Sequence, residues 1–174
     1  MISDERIMGF VEGEGCFSIG IQKYIDRRPR KTAGKRSNIK RPFLFRVLPL
    51  FQLTIREADR RILNEIKETL GFGSIYTQKR AKKSKTQQDV SIYYADGVTL
   101  GKKVREFFQK QRFYTRKGHD FQLWCQCLEL MEKKKHLTKK GPLKICRIRD
   151  QMNFRRTKNK WSTDEIEKIW DAKP

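Results

Sequence analysis

The sequence predicts an α+β fold: an αββαββα core with one saddle-shaped antiparallel four-stranded sheet, its helices on one face, followed by a basic helical C-terminal extension. Three observations predict it. Four short stretches alternate apolar and polar residues with the two-residue period of half-buried strands. They fall into two pairs, each joined by a connection rich in lysine and arginine, with a helical pattern between the pairs and others at both ends. Two hairpins separated by a helix build one antiparallel sheet with helices packed on a single face, which leaves the other face polar.

The first helix opens at Ser3, placed to cap it, with Asp4 and Glu5 in the first turn where the helix dipole favours negative charge. Ile7, Phe10 and Val11 give its apolar stripe. In residues 16–24, Phe17, Ile19 and Ile21 face one way and Ser18, Gly20, Gln22 and Tyr24 the other. A loop over 26–41 holds eight Lys/Arg and one acid. The second strand region, 43–55, alternates Phe51, Leu53 and Ile55 with Gln52 and Thr54. Its Pro49 cannot donate to a ladder, so a bulge, an edge or a break is expected there. Residues 56–70 read as a helix through Ile62, Leu63, Ile66 and Leu70, stopped by Gly71. Strands over 73–80 and 88–94 flank a turn where positions 79–85 hold five Lys/Arg. Helices follow over 98–109 and 121–131, the latter with Phe121, Trp124 and Leu128 on one stripe.

From Lys133 the composition changes, with twelve Lys/Arg and one acid up to Lys160. Leu143, Ile145, Ile148 and Met152 suggest a short helix after Pro142. The run Trp161-Ser162-Thr163-Asp164-Glu165 looks like the capped start of a last helix over 164–171. The expected division is a core over 1–132 and a basic extension over 133–174, packed on or beside it.

With 41 Lys+Arg against 20 Asp+Glu, the formal charge of +21 favours a polyanionic partner and long-range steering toward it. No stretch is long and apolar enough to span a bilayer and no secretory signal is visible, which places the expected site of action inside a cell. The 174 residues suit one domain with a small appendage, and 11 Phe, 5 Tyr and 3 Trp can furnish an economical core. Four cysteines form no zinc pattern. Cys125 and Cys127 point to different faces of a helix, Cys16 and Cys146 are isolated, and only His119 and His136 could assist. All four read as reduced packing thiols, and nothing in the sequence positions a base for a cysteine nucleophile.

One run remains: Gly9-Phe10-Val11-Glu12-Gly13-Glu14-Gly15-Cys16-Phe17 puts two carboxylates among glycines where a helix hands over to a strand. Gly9 and Gly13, four apart, leave one helix face without side chains, the pattern that lets two helix backbones approach closely. Glycines inside a helix cost about 1 kcal/mol each, so close helix–helix contact is a good reason for them. Read with Ile7-Met8, the run resembles, register by register, the LAGLIDADG signature of the homing endonucleases, including the strand-opening aromatic Phe17. The resemblance covers about residues 1–132, and the periodicity above arrives independently at that family's core topology.

The resemblance implies a single-motif, homodimeric member of that family. It implies a metal-dependent double-strand break in a long, roughly palindromic DNA target, with short 3′ overhangs. Glu14 matches the catalytic metal-binding acid and the Gly13 carbonyl a backbone ligand, with Mg²⁺ as the ion, Mn²⁺ able to substitute and Ca²⁺ binding without efficient cleavage. Both acidic positions carry Glu where Asp is usual. Glu12 is expected to cap or support the helix pair rather than to bind metal. Lys117, with Arg116 second, matches the basic residue near the scissile phosphate. A polar residue that usually ends the second strand falls here on Ile55. One signature per chain implies a C2 homodimer with Gly9 and Gly13 at its axis.

The outward sheet residues Ser18, Gln22, Tyr24, Arg46, Gln52, Thr54, Tyr76, Gln78, Arg80, Ser91 and Tyr93 become base-reading candidates, and Arg28, Arg30 and Lys82 in the hairpin loops become phosphate contacts. The alternatives are an intron maturase acting on RNA, a non-cleaving nucleic-acid-binding protein of the same fold, and a basic ribosomal or architectural protein. Intron RNA is a further candidate partner. A prokaryotic, archaeal cytoplasm or an organelle matrix is the expected location.

Overall fold

The computed structural model describes residues 2–23, 45–79, 88–138, 140–153 and 161–171. Its elements run α1 (Asp4–Glu14), β1 (Gly15–Lys23), β2 (Phe45–Arg56), α2 (Arg60–Leu70), β3 (Ser74–Gln78), β4 (Val90–Asp96), α3 (Gly97–Phe108), α4 (Lys117–Glu132), α5 (Gly141–Arg149) and α6 (Thr163–Asp171). The αββαββα order is the expected one. One antiparallel sheet forms in the order β1-β2-β4-β3, so each hairpin pairs within itself and β2 joins β4 across the middle.

Local chemistry sets the boundaries. Ser3 is extended and its side chain accepts the Arg6 amide at 3.4 Å, which starts α1. Gly71, at φ 71°, closes α2 in the left-handed region that glycine enters without strain. The Ser162 hydroxyl accepts from Glu165 N at 3.1 Å while the Glu165 carboxylate accepts from Ser162 N at 2.7 Å, a reciprocal capping box at the start of α6. Helix α4 begins four residues earlier than its apolar stripe, at Lys117, whose amide donates to the Thr115 hydroxyl at 3.2 Å.

Pro49 interrupts nothing. It pairs with Ile19 inside a continuous β1–β2 ladder, and the β2–β4 ladder begins only at Leu50, opposite Asp96. Of the bulge, edge or break expected, the structure has an edge. Before Leu50, among the described residues, β2 has β1 as its only strand neighbour, so a missing donor on the other side costs no ladder bond.

The core lies on one face of the sheet. Phe17, Phe51, Leu53 and Tyr93 point into it and meet Phe108, Phe121 and Trp124 from α3 and α4. Phe17 is the hub, its ring 5.0 Å from Phe51, 5.1 Å from Phe121 and 5.6 Å from Phe108. Truncating such a buried phenylalanine costs about 3–5 kcal/mol, a large share of the roughly 5–15 kcal/mol by which a domain is stable. Phe17 therefore belongs to folding rather than to chemistry. Ile145 and Cys146 of α5, Met152 and Ile166 of α6 are buried in the same cluster.

The four cysteines carry no disulfide. Cys127 is buried and Cys125 half-buried on different faces of α4, and burial pushes both thiols up to about 12 and that of Cys146 to about 11. At neutral pH they stay protonated, as packing groups do. Among the described residues no helix is long and apolar enough to cross a membrane.

Candidate functional site

Helix α1 hands over to β1 at Gly15, and three constraints meet there. The Gly15 amide closes the helix onto the Val11 carbonyl. A side chain at Gly15 would place its Cβ 2.5 Å from that oxygen, so this position in the signature admits only glycine. The Gly15 carbonyl accepts a hydrogen bond from the Lys117 ammonium across 102 residues of sequence. The fold therefore brings Glu14, at the exposed end of α1, and Lys117, at the start of α4, to one corner.

Glu12 is turned elsewhere. Its Oε1 accepts the amides of Tyr114 at 2.5 Å and Thr115 at 2.8 Å, pinning to α1 the loop that leads into Lys117. Two amides on one carboxylate oxygen make it a structural acceptor, and what it holds within the chain is the 114–115 loop. Cys16 lies beside this corner. Burial pushes its thiol up, with Lys117 pulling the other way and Asp120 reinforcing the rise.

The last turn of α1 contains Glu12 and Glu14 and no basic residue. Carboxylates at a helix C-terminus oppose the negative end of the dipole, whose last carbonyls have no intrahelical partner. A carboxylate and backbone carbonyl oxygens at such an end are the hard donors a divalent ion such as Mg²⁺ takes, so Glu14 and Gly13 fit one. Among the described residues no group of three or more His, Cys, Asp or Glu could hold a metal within one chain.

On the sheet, strand parity decides which side chains face outward. Ser18 and Gln22 of β1, Arg46, Gln52 and Thr54 of β2, and Tyr76 and Gln78 of β3 lie opposite the core, as expected. On β4 the expectation is corrected: Ser91 and Tyr93 are fully buried on the core side. The Ser91 hydroxyl bonds the Glu57 carboxylate and accepts from Arg60 Nη1 at 3.2 Å, while the Tyr93 hydroxyl donates to the Phe72 carbonyl at 3.0 Å. With these partners their polar atoms tolerate the interior. The outward residues of β4 are instead Val90, Ile92 and Tyr94, with the Tyr94 ring 5.5 Å from Tyr76. Tyr24, Arg28, Arg30, Arg80 and Lys82 lie outside the described residues.

Sequence reasoning missed Arg56, exposed at the end of β2, and Tyr94. Alternation along β2 from Gln52 and Thr54 would have found Arg56. Ile55 packs half-buried against the core, so the polar role that the resemblance assigns to its register is not filled by it. The Gly9 and Gly13 positions are exposed, and a Cβ at either meets nothing within 4 Å. That side of α1 is open.

A four-stranded antiparallel sheet backed by helices, with a glycine-flanked acid at its leading corner, is the architecture of a LAGLIDADG nuclease core. Residues 7–128 match the LAGLIDADG endonuclease family, and the chain belongs to it. Among its relatives is a "Probable intron-encoded endonuclease 3" of Neurospora crassa, 28% identical over 147 residues, which cover 84% of this chain. Those residues are 24% of that protein, so the chain spans about a quarter of its relative's length. The crystal structure of the homing endonuclease I-TnaI superposes with a TM-score of 0.70 at 28% identity, covering 98% of this chain and 97% of that one. I-SmaMI, a LAGLIDADG homing endonuclease bound to cleaved DNA, superposes with a TM-score of 0.70 at 25% identity over 98% of this chain and 48% of that one.

Proposed function

We propose that the chain is a site-specific DNA endonuclease that acts as a homodimer on a long, roughly palindromic duplex and makes a divalent-metal-dependent double-strand break with short 3′ overhangs. The observation that carries this reading is the convergence of Glu14 and Lys117 on Gly15. It puts an exposed acid, helix-end carbonyls and a cation at one corner, beside a sheet face bearing Gln22, Arg46 and Gln52.

In this reading Glu14 and the Gly13 carbonyl hold the ion, Mg²⁺ by preference. A divalent ion bound there supplies charge neutralisation at the phosphate and a more acidic water. Lys117 stabilises the charge that builds on the phosphate oxygens as the bond to the leaving oxygen breaks. Glu12 keeps the 114–115 backbone, and so the approach to Lys117, in place. Gln52 and Gln22 suit adenine edges and Arg46 suits guanine in the major groove, which admits a two-stranded β-ribbon.

The dimer is supported by three facts. Two DNA strands need two sites and the sequence holds one signature. The Gly9–Gly13 face of α1 is open. The chain matches nearly all of I-TnaI but about half of I-SmaMI, the ratio expected if two copies do the work of a double-length chain. The intron-encoded fungal relative supports a mobile-element setting.

The test is cleavage of a supercoiled plasmid carrying the target in Mg²⁺. Wild type should linearise it. Glu14→Gln should lose cleavage and keep specific binding, because affinity comes from phosphate and base contacts made elsewhere. A variant that cuts at the wild-type rate would remove Glu14 from the site.

A further inference from the structure

Asn153 lies beyond the segment matched to the family, in the turn after α5. It is one of two non-glycine residues at positive φ among those described, at 52°, a conformation asparagine tolerates better than most. Three bonds radiate from it. Its side-chain Nδ2 donates to the Phe17 carbonyl at 2.9 Å. Its backbone N–H donates to Asp120 Oδ1 at 2.9 Å. Its Oδ1 faces the Cys16 thiol at 3.9 Å.

Both ends of this bridge sit next to the proposed chemistry. Phe17 is three residues past Glu14 on β1, and Asp120 is three residues past Lys117 in the first turn of α4. Among the described residues β1 is an edge strand, so its outer carbonyls have no strand there to bond. Asn153 serves the Phe17 oxygen, and the Trp124 indole N–H bonds the next carbonyl along, Ser18 O, at 3.2 Å. Asp120 is buried, and the Asn153 amide satisfies one of its oxygens. One residue of the basic extension thus ties the strand leaving Glu14 to the helix presenting Lys117.

We infer that Asn153 is a positioning residue for cleavage: it fixes the separation between Glu14 and Lys117, so the C-terminal extension completes the active site rather than serving only as a basic tail. The inference rests on the endonuclease reading above. It asks for little displacement, since a misplacement of about 1 Å in a catalytic constellation can cost about 10²-fold in rate.

Asn153→Gly is the discriminating variant. Glycine keeps the positive φ and the amide bond to Asp120 but removes the bridging side chain. Single-turnover cleavage at saturating protein should fall by about 10–10²-fold, while the dissociation constant for the target in Ca²⁺ stays near the wild-type value. Asp120→Asn retains an oxygen for the Asn153 amide and should keep most of the rate, whereas Asp120→Ala should lose it. Trp124→Phe, which removes the bond to the next carbonyl of β1, should lower the melting temperature with a much smaller effect on rate. A readout independent of cleavage is the ¹⁵N signal of the Lys117 ammonium, slowed in exchange by its bond to the Gly15 carbonyl, which should broaden in Asn153→Gly.

An Asn153→Gly enzyme with unchanged rate and unchanged ammonium signal would overturn the inference. So would a loss of rate and affinity in equal proportion, which marks a general scaffold role. A wild type with the protected ammonium and no cleavage of any target would instead overturn the endonuclease reading and leave the tether standing.

Discussion

Glu12 and Glu14 are separated by one glycine, yet their carboxylates meet different surroundings. Glu12 is consumed by the Tyr114 and Thr115 amides, while Glu14 stands exposed at the end of α1. Glu12→Ala should therefore act through structure. Chemical denaturation should show a loss of about 1–2 kcal/mol from the two hydrogen bonds, and cleavage should slow because the loop into Lys117 is released. Glu57 offers a second residue-scale test. Its carboxyl is held below its ordinary value of 4.5, first by the Ser91 hydroxyl and further by Thr77 and Arg60. A depressed carboxyl contributes stability that is full above its unfolded pKa and is lost as pH falls through the folded one. The wild type should thus lose this contribution only below about pH 4.5, and Ser91→Ala should shrink it. A Glu57 side-chain NMR titration that does not move upward in Ser91→Ala would reject the account. At this scale the sequence was informative about identity and silent about partners. The motif singles out Glu14 and Lys117 as candidates, whereas Glu12's two amides and Asn153's bridge join residues more than 100 positions apart and left no local signal.

Elements were legible where periodicity and end chemistry agreed. Ser3, Gly71 and the Ser162–Glu165 box each mark a boundary that the backbone adopts. β4 shows where pattern fails. In Val90-Ser91-Ile92-Tyr93-Tyr94-Ala95 both parities contain an aromatic and an aliphatic residue, so alternation does not choose a face. The choice is made by Glu57 and by the Phe72 carbonyl, which give Ser91 and Tyr93 buried partners. The start of α4 was late for a similar reason. Lys117, Gly118 and His119 carry no apolar stripe, and the first turn is marked instead by the Lys117 amide bonding the Thr115 hydroxyl. For α1 the prediction concerns assembly. A side chain at Gly13 meets nothing within its own chain, so Gly13→Leu should fold normally. It should nevertheless keep two α1 backbones apart. Sedimentation equilibrium should give a dimer for wild type and a monomer for the variant, with cleavage lost. A wild-type monomer that still makes double-strand breaks would refute the dimer.

For the whole molecule, charge and fold divide the labour. The excess of 21 positive charges acts at long range and without regard to sequence. In the proposed reading the outward sheet face, with Gln22, Gln52 and Thr54 beside Arg46, does the selecting. Binding to the target should therefore be steeply salt-dependent, falling by about 10³–10⁵ between 50 and 200 mM salt if about 6–10 phosphates are engaged. Gln52→Ala should leave that slope intact and cost roughly 1–3 kcal/mol at one base position per half-site. Titrations on the target and on single-base variants at several salt concentrations separate the two. A flat salt response, or an unchanged base preference in Gln52→Ala, would break the division.

Pro49 has a bearing on how this protein survives at high concentration. It sits where β2 has run past the end of β4 and, among the described residues, one flank of the strand has no ladder partner. A strand flank without a ladder partner is a place where another chain can add a strand, and in the proposed dimer, where two copies meet through α1, such an encounter is close at hand. A residue with no N–H at this point denies an incoming strand one rung. Pro49→Thr should keep the fold and DNA binding, yet scatter light on concentration at a salt level where wild type stays clear. In the proposed reading the proline would thus keep copies of the sheet from joining edge to edge while its outward face is left for DNA.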